Sequence, residues 1–106
     1  MADYVLLFGG GGMPETEAEQ AAVMEAWTAW FNDLGDAVKD QGNPFSGQAQ
    51  TIAPDGSVGG SPLAPTASGY TVLRAESLDD AVNMAKGCPV LQGGAQITVY
   101  ETMAVM

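Results

Sequence analysis

The segment from Gly69 to Pro89 constrains the fold more than any other, because a strand, a helix start and a helix stop follow one another within it. Tyr70 to Ala75 is rich in residues that favour β-strands. Ser77 then predicts an N-cap, and the acidic residues just after it suit the positive end of a helix. Gly87 and Pro89 predict the end of this helix. The segment therefore predicts a strand that leads directly into a short amphipathic helix.

The N-terminal part predicts a second unit of the same kind. The apolar run from Tyr4 to Phe8 predicts a buried strand, and the glycines after it are expected to form a loop. Thr16 and Glu19 fit a capping box, and the apolar spacing that follows predicts a helix reaching about Gln41, weakened but not stopped by Gly35. Both tryptophans of this helix are expected to pack in the core. Seven residues are expected to share its inner face: Val23, Ala26, Trp27, Trp30, Leu34, Ala37 and Val38.

The middle of the chain and the C-terminus complete the predicted order. Gly47–Ile52 and Ser57–Gly60 are expected to be short strands on either side of a turn at Pro54–Gly56. Gln96–Tyr100 alternates like a strand with one buried face. The order β-α-β-β-α-β predicts an α+β fold of the ferredoxin-like, split β-α-β class, with one antiparallel sheet and two helices on one face. Residues 1–106 are expected to form a single domain.

The second face of such a sheet raises the question of what covers it, because two helices cannot cover both faces. Only 15% of the residues are charged and 46% are hydrophobic, so an uncovered apolar face is expected to pack against another molecule. A second copy of the chain is the commonest solution among soluble proteins. The sequence therefore predicts a homodimer.

The charge balance excludes several other partners. The chain has 13 acidic and 3 basic residues, a net charge of −10, so it cannot present a basic stripe to nucleic acid. The same charge opposes an anionic membrane surface. Because no apolar run reaches spanning length and the N-terminus lacks the basic region of a signal peptide, the expected location is cytoplasmic. No motif for a metal or a cofactor is present in the sequence, and neither is expected.

Residues in both halves of the chain resemble a known family. The Gly69-Tyr70 strand, the helix start Ser77-Leu78-Asp79-Asp80-Ala81 and the stop Gly87-Cys88-Pro89 are similar to the C-terminal half of the YCII-related, DGPF-type domains. The Trp27-x-x-Trp30 helix, followed by Gly-Asn-Pro, is similar to the N-terminal half. The resemblance implies a dimeric α/β barrel, in which two sheets pack face to face, and clefts beside the sheet where a small molecule can bind.

Two features of that family are missing, and both bear on catalysis. Some relatives are thought to use a His–Asp pair, but this chain has no histidine. The Asp-Gly-Pro-Phe motif is replaced by the shorter Gly59-Gly60-Ser61-Pro62. No catalytic residues are therefore assigned, and whether the chain is an enzyme stays open. Cys88 is expected to be a poor nucleophile, because it follows a helix C-terminus and has no histidine to activate it.

Arg74 is the most informative candidate for a ligand contact. By strand alternation it shares a face with Tyr70, on the side away from the helices. A charge at that position needs a partner, which is expected to be Glu76 or Glu101 across the dimer interface or, as the weaker alternative, an anionic ligand. The ligand-binding candidates are Arg74, Tyr4, Tyr70, Tyr100 and Glu101.

Three classes of function remain open at this point. The first is a homodimer that binds a small molecule without catalysing a reaction, which the absence of histidine favours. The second is an enzyme that acts on a small anionic substrate by carboxylate or tyrosine proton transfer, with Arg74 orienting the anion. The third is an accessory module that docks another protein through its acidic helices.

Overall fold

The structure, a computed structural model, describes residues 1–11, 15–59 and 67–104. These residues form four strands and two helices in the predicted order β-α-β-β-α-β, together with two short 3-10 turns. The elements are β1 (Ala2–Gly10), α1 (Glu17–Leu34), a 3-10 turn (Gly35–Ala37), β2 (Val38–Asp40), β3 (Ala67–Ala75), α2 (Leu78–Ala85), a second 3-10 turn (Pro89–Gly93) and β4 (Ala95–Glu101). The predicted ferredoxin-like α+β fold is confirmed.

The four strands form one antiparallel sheet in the order β2-β3-β1-β4. Leu6 of β1 lies opposite Thr71 of β3 and Val99 of β4, on the face that both helices cover, which we call the helix face. Alternate residues project to the other side, which we call the open face. The open face carries Asp3, Val5 and Leu7 of β1, Tyr70, Val72 and Arg74 of β3, and Thr98 and Tyr100 of β4.

The core lies between the helix face and the two helices. Trp30 is 6% exposed and packs with buried residues of the sheet and of α2, and its indole Nε1 donates a hydrogen bond of 3.0 Å to the carbonyl of Met84. Trp27 is half-buried, with its ring centroid 5.7 Å from that of Phe8. A Cβ added to Gly87 would lie 3.3 Å from Trp30 Cδ1, so a glycine there lets the end of α2 approach the indole ring.

The helix starts follow the predicted capping pattern. The Thr16 hydroxyl accepts from the Glu19 amide at 3.1 Å, and the Ser77 hydroxyl accepts from the Asp80 amide at 3.1 Å. The carboxylate of Glu19 reaches back to the amide of Glu15, at 3.1 Å, one residue before the position that a capping box would use. Neither helix among the described residues is long and apolar enough to cross a bilayer.

The predicted end of the first helix was wrong. Helix α1 stops at Leu34, where Gly35 takes φ +55° and donates its amide to the carbonyl of Phe31. The chain then forms β2, in which Val38 pairs with Leu73 of β3. Pairing at the sheet edge gives these residues strand hydrogen bonds and places Val38 against the core, so tertiary structure overrides the helical pattern.

The two predicted strands in the middle of the chain were also wrong. Residues 47–52 and 57–59 form no strand, and only an isolated bridge joins Ile52 to Val58; Gly60 lies outside the described residues. The predicted turn between them is present: Gly56 has φ +90° and donates to the carbonyl of Ala53 at 2.8 Å. The second strand of the sheet is therefore β2 (Val38–Asp40), which the sequence placed inside a helix. The first strand also reaches further than predicted, to Gly10 within the glycine run.

Candidate functional site

Charged side chains collect at the end of the sheet where β1 begins and β3 ends. Asp3 lies directly opposite Arg74, and Oδ1 of Asp3 is 3.5 Å from Nε of Arg74. The ammonium of Lys39, from β2, pairs with the other oxygen of the same carboxylate. Lys39, with a smaller contribution from Arg74, lowers the pKa of Asp3. The carboxylate of Asp3 therefore stays ionised and is shared by two cations.

This ion-pair network was not predicted from the sequence. The intrachain partner of Arg74 is Asp3, whereas Glu76 or Glu101 was expected across an interface, and that contact stays a prediction. Alternation along β1 places Asp3 on the same face as Val5. Its approach to Arg74 additionally depends on the register of β1 against β3, which no local pattern in either strand specifies.

A groove of about 430 Å³ opens beside this network, and we call it the end groove. Its walls contain three carboxylates, from Asp36, Glu76 and Asp80, and one guanidinium, from Arg74. Because Arg74 already faces Asp3, the carboxylates dominate the charge of the groove. The remaining walls are largely apolar. They come from Ala37, Ala75 and Met84, together with Met1, which also carries the terminal ammonium.

Tyr4 and Glu101 form a pair on the helix face at the same end of the sheet. The Tyr4 ring is fully buried beside Ala75 and Ala81, and its hydroxyl donates to Oε1 of Glu101 at 2.9 Å. Burial raises the pKa of Tyr4, and the hydrogen bond to Glu101 raises it further. The hydroxyl therefore stays protonated and ties the start of β1 to the end of β4.

The other two tyrosines lie on the open face. Tyr100 is opposite Val5 and is 53% exposed. Tyr70 is opposite Leu7, and the ring of Phe45 stacks on it with centroids 5.9 Å apart. Arg74 lies four positions after Tyr70 along β3, a distance of roughly 13 Å.

The five predicted ligand-binding residues therefore do not form one cluster. Tyr4 and Glu101 lie together on the helix side, whereas Arg74, Tyr70 and Tyr100 spread over the open face. Of the five, Arg74 alone lines the end groove. Asp36 and Asp80 also line the groove, whereas from the sequence both were interpreted as solvated carboxylates. Their meeting in one groove could not be predicted, because they come from segments far apart in the chain.

Cys88 is buried in the core, 2% exposed, beside Trp30 and Ala85. Burial raises the pKa of its thiol from the ordinary value of 9.0 to about 11. A thiol of this kind is a weak nucleophile at neutral pH, because the reactive form is the thiolate. Burial is thus the main physical reason why Cys88 is a weak nucleophile.

This environment predicts very slow thiol chemistry in the folded protein. At pH 8 an aromatic disulfide reagent should react with Cys88 roughly 100-fold more slowly in buffer than in denaturant, since a pKa two units higher lowers the thiolate fraction by that factor. The release of the coloured thiol, followed by absorbance, measures both rates. Equal rates would contradict the buried position of this side chain.

Within the described ranges, no three histidine, cysteine, aspartate or glutamate side chains come close enough together to hold a metal ion.

No protein-family model matches the chain, and no curated protein matches its sequence. The fold does have a solved counterpart, the 5-chloro-2-hydroxyhydroquinone dehydrochlorinase of Burkholderia phenoliruptrix AC1100 in complex with 2,5-dihydroxybenzoquinone. The two share 15% sequence identity over 94% of this chain and 93% of that one, with a TM-score of 0.55.

This likeness establishes the fold of the chain. The α+β architecture that the sequence predicted agrees with this likeness. At this level of identity the likeness carries no residue of the dehydrochlorinase over to this chain.

Proposed function

We propose that this chain is a homodimeric, YCII-like protein that binds a small, uncharged molecule carrying hydroxyl groups in the end groove. The end groove carries the proposal, because it combines apolar walls with three carboxylates in a volume of about 430 Å³. Small-molecule sites in proteins commonly have volumes of roughly 300–1,000 Å³ and few polar groups among apolar ones. The end groove fits this description.

The charges around the groove favour an uncharged ligand over an anion. Ionised carboxylates only accept hydrogen bonds, so Asp36, Glu76 and Asp80 suit the hydroxyl groups of a ligand. An anion would face these three carboxylates, and the one guanidinium in the groove already contacts the Asp3 carboxylate that it shares with Lys39. The ligand held by the dehydrochlorinase, 2,5-dihydroxybenzoquinone, supports a small ring with oxygen substituents as the size of molecule to test. That ligand is a vinylogous acid and is ionised at neutral pH, so the preference for an uncharged ligand rests on the charges of the end groove alone.

The open face supports the homodimer. Its apolar centre, where β1 and β3 pair, consists of Val5, Leu7 and Val72. The charged residues Asp3 and Arg74 lie at one end of this face. An apolar sheet face without covering helices is typical of an interface. A second copy packed sheet to sheet would cover it, as the resemblance to YCII-related domains implies.

The proposal includes no chemical step. The hydroxyl of Tyr4 is buried and already donates to Glu101, so the pair fixes the strand ends and is not offered as a proton donor to a ligand.

Two probes that differ in one group test the charge of the ligand. Hydroquinone is uncharged at pH 7, and 4-hydroxybenzoate replaces one hydroxyl with a carboxylate. We expect isothermal titration calorimetry to detect binding of hydroquinone and much weaker binding of 4-hydroxybenzoate. The reverse order would support an anionic substrate oriented by Arg74, and no binding of either probe at millimolar concentration would contradict a site for small hydroxylated rings.

A pair of neighbouring variants tests the place of binding. Asp80→Asn should weaken hydroquinone binding about tenfold, because a hydrogen bond to a charged group contributes roughly 1.5–3 kcal/mol. Asp79→Asn makes the same change of charge on the adjacent residue, which does not line the groove, and should leave binding unchanged. Equal effects of the two variants would place the ligand elsewhere.

A further inference from the structure

The segment of residues 43–59, which we call the hairpin arm, is anchored to the sheet at its base. The amide of Phe45 donates to the carbonyl of Ser68 at 2.8 Å, and the amide of Tyr70 donates to the carbonyl of Asn43 at 3.3 Å. The Phe45 ring then stacks on Tyr70, an open-face residue, at an interplanar angle of 27°. The hairpin arm is thus continuous with the open face.

The far end of the hairpin arm is a small, well-defined hairpin. The amide of Ala53 donates to the carbonyl of Ser57 at 2.8 Å, and the amide of Gly59 donates to the carbonyl of Thr51 at 2.7 Å. Inside the turn, the carboxylate of Asp55 accepts from both the amide and the hydroxyl of Ser57, at 2.9 and 2.7 Å. These hydrogen bonds from Ser57 lower the pKa of Asp55. These bonds define the turn at the tip, which belongs to none of the strands of the sheet.

The hairpin presents an apolar patch that no other part of the described chain covers. Ile52 and Val58 pair directly across the hairpin, so their side chains lie on the same side of it. They are 70% and 61% exposed. An isolated two-stranded hairpin is at best marginally stable in water, and packing of its apolar side on another surface would stabilise it.

The low charge of the hairpin arm fits a second copy of the chain as the occupant. Two copies that each carry a net charge of −10 repel each other, so they can meet only through surfaces with few charges. Asp55 is the only charged residue between positions 43 and 59, and its carboxylate is occupied inside the turn. The molecule measures 45 × 38 × 17 Å and is therefore thin in one direction. An arm that continues from one broad face of such a molecule can extend past the edge of that face and contact a facing copy.

We propose that the hairpin arm crosses the dimer interface and packs Ile52 and Val58 on the partner protomer. This inference rests on the proposed homodimer and names one segment that holds it together.

Photocrosslinking of the full-length chain tests the contact directly. In Ile52→Cys, the new thiol takes a benzophenone maleimide, while Cys88 stays unlabelled because it is buried and its pKa is raised to about 11. Irradiation should give a covalent product at twice the chain mass of 10.9 kDa. Met24→Cys, on the exposed side of α1, is the matched control and should give none.

Sedimentation of the same labelled samples separates failure of this inference from failure of the homodimer. A dimer that gives no inter-protomer product, or only products within one chain, would overturn the arm contact and leave the homodimer standing. A monomer at all concentrations would overturn both. A product with an unrelated protein in cell extract, and none between copies, would also overturn the assignment of the partner.

A second variant measures the effect of the contact. Ile52→Thr combined with Val58→Thr keeps β-branched side chains but removes apolar surface, and should raise the dimer dissociation constant at least tenfold. Val23→Thr makes a similar change at an exposed residue of α1 and should not. An unchanged dissociation constant in the double variant would overturn the proposal.

Discussion

Gly42→Ala is expected to destabilise the fold by about 3 kcal/mol or more, which for a domain of this size lowers the melting temperature by roughly 12–24 °C. Gly42 follows β2 and has φ +73°, a backbone conformation that alanine adopts only with strain. A Cβ there would lie 1.7 Å from the carbonyl oxygen of Tyr70. Both the strain and the overlap must be relieved by moving backbone.

The surroundings of Gly42 leave little room for that movement. Its amide donates to the Asp40 carboxylate at 2.8 Å, and the Thr71 hydroxyl donates to the carbonyl of Gln41 at 3.0 Å. Thr71 is fully buried, so these bonds hold the turn against β3. Relief of the overlap would have to break them or detach β2 from the sheet.

Gly94→Ala is the matched control, because Gly94 also has positive φ, +86°, but a Cβ there would meet no atom within 4 Å. Gly94→Ala should lower the stability by about 1–2 kcal/mol, from the backbone strain alone. Thermal unfolding followed by circular dichroism gives both values. Equal losses in the two variants would mean that the close approach of Gly42 to Tyr70 is not a constraint on the fold.

Leu7→Glu is expected to dissociate the proposed dimer, raising its dissociation constant by about 100-fold or more, while leaving each protomer folded. Leu7 lies at the centre of the open face, opposite Tyr70 on one side and Thr98 on the other. A carboxylate at this position would be buried between two sheets without a cation, because Arg74 lies about four residues away along the neighbouring strand. In a monomer the same carboxylate would face water, so folding should change much less.

Met24→Glu is the control for Leu7→Glu. It adds the same charge to an already acidic chain, but at a residue of α1 that is 66% exposed. Its dissociation constant should match that of the unaltered protein. If Leu7→Glu also remains a dimer, the open face is not the interface.

The parts of the fold that could be predicted from the sequence are those with local signals. Helix α2 carries its own N-cap at Ser77 and its own stop at Pro89, so its bounds follow from neighbouring residues. Strand β2 has no such signal, because three residues at a sheet edge are held by pairing with β3, more than 30 positions later. The φ of +55° at Gly35 likewise depends on the path of the chain into β2.

The candidate site was predicted less well, for the same physical reason. Alternation in β3 places Arg74 on the open face, but its pairing with Asp3 requires the register between two strands. The end groove combines residues from position 1 to position 84, so no short motif could reveal it. Tyr4 was grouped with the other tyrosines, although its place on the opposite face follows from the pairing of Tyr4 with Leu73.

The oligomeric state of the unaltered protein tests the central claim most directly. Sedimentation velocity over a range of concentrations should give a species of twice the 10.9 kDa chain mass, and Leu7→Glu should give a species of the single chain mass under the same conditions. A monomeric unaltered protein at every concentration would contradict the claim that a second copy covers the open face.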